Sequence, residues 1–144
     1  MSVPTRQEIN VYNSPDERSA CEHFLGKNLD EAGALFRESS ICYQEDLLFM
    51  GPVAFRYYVR AVIRYIESKE ADNDSDIISC LAAILEHRLE YEQPEEFVDV
   101  AAVLASTCDY VILHYARFNL VPEIYGDIRP RYAALRERFV RLVS

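Results

Sequence analysis

The chain has no tryptophan, two methionines and only four glycines among its 144 residues. Gly26, Gly33, Gly51 and Gly126 each stand alone, so neither a phosphate-cradling loop nor a dinucleotide-binding fingerprint can be built from them. No Gly-x-Ser-x-Gly turn is present to expose a hydrolase serine. No apolar run approaches the roughly 20 residues of a membrane span. Basic residues are scarce too, 15 against 24 acids, and the formal charge of −9 repels phosphate backbones and anionic lipid. These absences argue against nucleic-acid and membrane partners; a basic protein partner remains compatible with the charge. The opening MSVPTRQEINVYNSPDE lacks the charged-then-apolar layout of a secretion signal, which predicts a cytoplasmic protein.

Metal and nucleophile chemistry is thin as well. Cys21, Cys42, Cys80 and Cys108 are far apart and never paired as CxxC, so they read as free thiols filling core gaps. The inward Glu-x-x-His pairs of a di-iron bundle are missing. Glu22–His23 and Glu86–His87 are adjacent instead, and neighbours on a helix point about 100° apart. Cys80 and His87 with Cys108 and His114 form the one alternative metal set, because thiolate and imidazole suit tetrahedral zinc. Their spacings fit poorly, with Cys108 and His114 splayed by roughly 120° on helical geometry. No cofactor is implied, and no residue is marked as catalytic.

What the chain does have is helical periodicity. Half of it is apolar and 27% charged, the balance of a globular protein. Residues 1–13 read as an irregular arm, extended near Ile9–Tyr12. Ser14 with Glu17 and Asn28 with Glu31 are capping boxes that predict helices from Pro15 to about Leu25 and from Leu29 to Arg37. A loop at Glu38–Ser40 and a helical turn at Tyr43–Phe49 follow. Gly51 and Pro52 start a helix to about Ser68. The polar stretch 69–76 reads as an exposed connection, with Ser75 capping a helix to Tyr91 through Ile77, Leu81, Ile84, Leu85 and Leu89. Phe97, Ala101, Leu104, Cys108, Val111, Ile112, Tyr115 and Phe118 share one face of the next. After Pro122, Gly126 and Pro130, a last helix turns Tyr132, Leu135, Phe139 and Leu142 inward. No run alternates as a strand does, so the prediction is all-α, a single-domain bundle over 1–144 of about five to six helices around a central helix 52–68.

That central helix carries the candidate binding residues. Arg56, Arg60 and Arg64, four apart, make a cationic stripe beside Tyr57 and Tyr58, with Glu45 and Asp46 just upstream. The guanidinium forks suit a carboxylate or phosphate, but the excess of acids predicts internal pairing with Glu45, Asp46 or the 72–76 acids. The tyrosines read as core rings whose hydroxyls reach a polar partner. Glu86, Glu90, Glu92, Glu95 and Glu96 around Pro94 favour the next helix dipole and could also face a basic partner.

Glu45-Asp46-Leu47, Gly51-Pro52, Ala54-Phe55 and Tyr57-Tyr58, with Phe24-Leu25-Gly26-Lys27 upstream, resemble a family of small uncharacterised bacterial proteins known only as a domain of unknown function. The match covers residues 20–70. Where such relatives follow the aromatic pair with Leu-Pro, this chain has Val59-Arg60. The resemblance implies an all-helical bacterial protein and assigns no activity. From size, charge and missing catalytic motifs, the expected function is protein–protein interaction or regulation, such as neutralising a toxin. The alternative is a small-ligand binder or enzyme with an Arg/Tyr/carboxylate pocket beside helix 52–68. A homodimer through an apolar face is compatible with either.

Overall fold

The computed structural model describes residues 2–143, so both ends of the expected 1–144 domain lie outside the described residues. All regular structure among them is helical, as periodicity predicts, with six helices of ten residues or more. Two compact units divide after Glu70, Met1–Glu70 and Ala71–Ser144. The division falls inside the polar 69–76 stretch.

In the first unit, α1 (Arg6–Ile9) precedes α2 (Pro15–Phe24), α3 (Leu29–Phe49) and α4 (Pro52–Ile66). The arm is therefore not wholly irregular. Thr5 and Glu8 form a third capping box, each side chain accepting from the other's backbone N–H, and so nucleate a single turn. The boxes at Ser14 and Asn28 form as expected. α3 runs on through the expected loop, which shrinks to one non-helical residue, Ser39 (φ −162°, ψ 90°). Paired serines are weak helix formers because their hydroxyls compete for backbone partners.

α4 is the most buried helix of this unit. Ala54, Phe55, Tyr58, Val59, Ala61, Val62 and Ile66 are fully covered, and Tyr57 and Tyr65 nearly so. Gly51 is required by close approach. Its N–H donates to Ile9 O at 3.0 Å, and a Cβ there would lie 2.2 Å from Glu8 O and 2.6 Å from Val11 Cγ2.

The second unit holds α5 (Ser75–Tyr91), α6 (Val98–Leu113), the one-turn α7 (Pro122–Tyr125) and α8 (Arg129–Val143). Asp74, not Ser75, caps α5, accepting from Ile77 N–H at 3.2 Å. Ser75 Oγ instead bonds to Tyr125, whose hydroxyl donates to Asp76. α8 packs on α6 and α5 through Tyr132, Leu135 and Phe139. The expected long helix from Phe97 to Phe118 is shorter, flanked by 3-10 turns at Pro94–Phe97 and Tyr115–Phe118. No helix among the described residues is long and apolar enough to cross a membrane.

Candidate functional site

Of the seven candidate residues, three meet in one place. Tyr57, Arg60 and Arg64 occupy one face of α4, following the helical i, i+3, i+7 spacing. Together with Asn28, Leu29 and Asp30 at the start of α3 they line an open hollow of about 450 Å³. Arg64 Nη1 lies 3.6 Å from Asp30 Oδ1. Both side chains are largely exposed, so the pair contributes little to stability. Asn28 Oδ1 is already engaged, accepting from Glu31 N–H at 2.9 Å. Tyr57 is 6% exposed and stacks edge-on against Tyr58, yet its hydroxyl has no hydrogen-bond partner among the described residues.

At Arg64 the pairing differs from the acids expected of the stripe. Arg64 takes Asp30, which is none of the acids singled out. Asp46 bonds to His23, and Asp72 pairs with Arg117 across the turn at the end of α6. Arg56 and Arg60 are half-buried on α4, and Glu45 is exposed on α3.

Tyr58 belongs to the core. Its hydroxyl lies 2.7 Å from Phe24 O and 2.9 Å from Lys27 O, closing the carbonyl end of α2. Burial holds its pKa well above the ordinary tyrosine value. Gly26, with φ +80°, provides the left-handed turn between those two carbonyls. The Phe24–Lys27 and Tyr57–Tyr58 segments thus touch, giving their co-occurrence in one chain a structural reason.

Asp46 is buried and sits 2.6 Å from His23 Nδ1. With the carboxylate ionised, Nδ1 carries the proton and donates, and in the neutral ring Nε2 is then the acceptor. Burial pushes the Asp46 pKa up, His23 and Ser19 pull it down, Glu45 adds to the rise, and the net shift is upward. The ring of His23 stands edge-on to Tyr43, centroids 5.0 Å apart. Reading within single helices misses this dyad because its members lie 23 residues apart on α2 and α3. The sequence pointed to Asp46 as a partner of the arginine stripe and to His23 only in a pair that fails on helical geometry, and nothing local joined the two.

The alternative metal set is not assembled. Cys108 is fully buried, Cys80 half-buried, and His87 and His114 are exposed with rings against Tyr91 and Tyr110 of their own helices. Among the described residues no three His, Cys, Asp or Glu side chains converge as ligands. Burial pushes the Cys108 thiol up to about 12, which removes it as a ready nucleophile. Of the acid cluster, Glu86 and Glu92 are taken by Arg131 and Arg88.

The chain matches no protein-family model, no curated protein and no solved structure.

Proposed function

We propose that this chain is a binding module whose partner is another protein, engaged through the hollow on the first unit. The observation that carries the reading is the meeting of Tyr57, Arg60 and Arg64 around an open depression at the α3–α4 corner. Two arginines and a tyrosine are the side chains that most often anchor an interface, combining area with directed hydrogen bonds. An opening this wide admits a side chain from a partner surface; a substrate there would stay exposed to water. A regulatory role, including neutralisation of a toxin, is one use of such a module.

The test is a low-salt pull-down from the organism that carries the chain, with the wild type beside an Arg60→Glu/Arg64→Glu double variant. The expected result is a protein retained by the wild type and lost from the variant. Equal retention by both, or retention of nothing above background, rejects the reading.

The His23–Asp46 dyad favours a second reading, an enzyme that uses His23 Nε2 as a proton acceptor. It fits the oriented-imidazole arrangement of general-base sites. Ser19 bonds to Asp46 and the Tyr43 ring stands against His23, but neither lies in the hollow that carries the binding reading. The binding reading is therefore preferred.

A further inference from the structure

We infer that the hollow recognises a single carboxylate, an aspartate or glutamate side chain presented by the partner, with Arg60 and Arg64 as charged donors and the Tyr57 hydroxyl as a third. This rests on the binding reading above and names the chemistry of its contact.

Tyr57 carries the first argument. It is more than nine-tenths buried, lines the hollow, and its hydroxyl is without a hydrogen-bond partner among the described residues. Its oxygen reaches solvent rather than being sealed in the core, so in a hollow lined by Arg60 and Arg64 it is open to an acceptor atom of a ligand. Its phenol can donate to an acceptor, and the guanidiniums of Arg60 and Arg64 beside it favour one that is anionic.

The second argument is Asp30. Its carboxylate already lies 3.6 Å from Arg64 Nη1, so a group of this class reaches the guanidinium. Both members are exposed, and the contact is weak enough for a better-held carboxylate to replace or share it. Asp30 also selects. A fixed negative charge at the rim penalises a phosphate dianion more than a monoanion. The charge balance acts the same way, with eleven acids to eight bases in Met1–Glu70. A polyanion meets net repulsion, whereas one carboxylate meets two arginines. Leu29 gives the wall of the hollow an apolar strip for the methylenes of an Asp or Glu side chain.

The experiment uses the full chain and two probes, N-acetylglutamate N-methylamide, which bears one carboxylate, and inorganic phosphate. Binding is followed through arginine Nε–Hε and tyrosine ring resonances. Blocked glutamate should shift Arg60, Arg64 and Tyr57 saturably, with a Kd on the order of millimolar for so small a ligand. Tyr57→Phe keeps the ring and should weaken binding about fivefold, the equivalent of one net hydrogen bond. Arg60→Gln with Arg64→Gln should abolish it. Asp30→Asn should strengthen phosphate binding more than glutamate binding. The inference is overturned if blocked glutamate gives no saturable shift, if Tyr57→Phe and the double variant titrate as wild type, or if phosphate binds the wild type more tightly. Blocked glutamate added to the pull-down separates the two readings. A partner held through Arg60 and Arg64 but not displaced by it sinks the carboxylate assignment alone. Saturable probe binding with no partner retained sinks the protein-partner reading and leaves the carboxylate site standing.

Discussion

In Met1–Glu70 the buried Glu17 and Tyr58 side chains hold backbone, whereas in Ala71–Ser144 α8 is tied to both α5 and α6 by pairs of charged side chains. Glu17 accepts from the N–H groups of Val11, Tyr12 and Ser14 at 2.9–3.2 Å, and Tyr58 closes the end of α2. These bonds stitch non-helical chain to helices. In the second unit, Arg131 grips Glu86 between α8 and α5 and Arg136 meets Asp109 between α8 and α6. Tyr132, donating to Ile78 O at 2.6 Å, and Tyr115, accepting from Ile128 N–H at 3.2 Å, repeat the first unit's device. Desolvated bonds to backbone are costly to lose because the partner is left buried and unsatisfied. Half-exposed ion pairs are screened and contribute little each. The first unit should therefore fail at single points, and the second should yield gradually to salt.

The sharpest way to break this contrast is Gly51→Ala. The added Cβ would meet Glu8 O at 2.2 Å, a backbone atom that cannot swing aside, so the arm must move off α4. The expected loss is about 3 kcal/mol, the upper range for overpacking a close contact. Hydrogen exchange resolved by peptide should show faster exchange in 2–70 than in wild type. Gly26→Ala is the control. Its Cβ has open space and faces only the strain of φ +80°, about 1 kcal/mol. Equal losses for the two would remove the close-approach account.

Next in size is Glu17. Burial raises its pKa, but the hydrogen bonds from Ser14, Tyr12 and Val11 together outweigh that and hold it below the ordinary glutamate value. A carboxyl depressed on folding contributes stability that is present above its unfolded value, near pH 4, and lost as pH falls through the folded one. Glu17→Gln should thus cost about 2 kcal/mol at neutral pH, with the gap to wild type closing under acid. Asp46 has the opposite sign. Its raised pKa means the native state keeps a proton that the unfolded chain has lost, so its contribution falls as pH rises through that window. Asp46→Asn should flatten that descent. Urea unfolding of the two variants from pH 3 to pH 7 checks both, and parallel slopes would refute the assignment.

How much of this was legible depended on sequence distance. Ser14–Glu17 and Asn28–Glu31 could be read directly, because a capping box is complete within four residues. Thr5–Glu8 carries the same pattern, but the helix it starts is only four residues long, too short to show a helical period. The α4 face was legible for the same local reason, and with it the Arg60–Arg64 spacing, but the expected pocket drew also on Arg56, Tyr58, Glu45 and Asp46, none of which lines the hollow. The other wall of the hollow was not legible. Asn28 and Asp30 arrive through the α3–α4 packing, and no helical period relates them to Arg64. His23–Asp46 is the same case, a tertiary pair without a local pattern. Asp72 was expected to face the α4 stripe and instead pairs with Arg117, where Asn73 N–H also meets the Arg117 carbonyl. A nearby backbone bond fixed the side chain's choice among equally charged partners.

The smallest expected effect lies in the second unit and tests the other half of the contrast. Thirteen acids face seven bases there, so each cross-helix arginine also relieves acid–acid repulsion. Arg131→Gln and Arg136→Gln remove contacts whose members are roughly half exposed. Each should cost about 0.5 kcal/mol at low salt, and most of that should vanish near 1 M salt, where screening acts over a few ångströms. The double variant should be close to additive, since the arginines serve different neighbours, Glu86 on α5 and Asp109 on α6. Each loss should appear as faster exchange in 71–143. If either substitution cost several kcal/mol, or the cost persisted in high salt, the pair would have to be as desolvated as the Glu17 bonds. The difference drawn between the two units would then disappear.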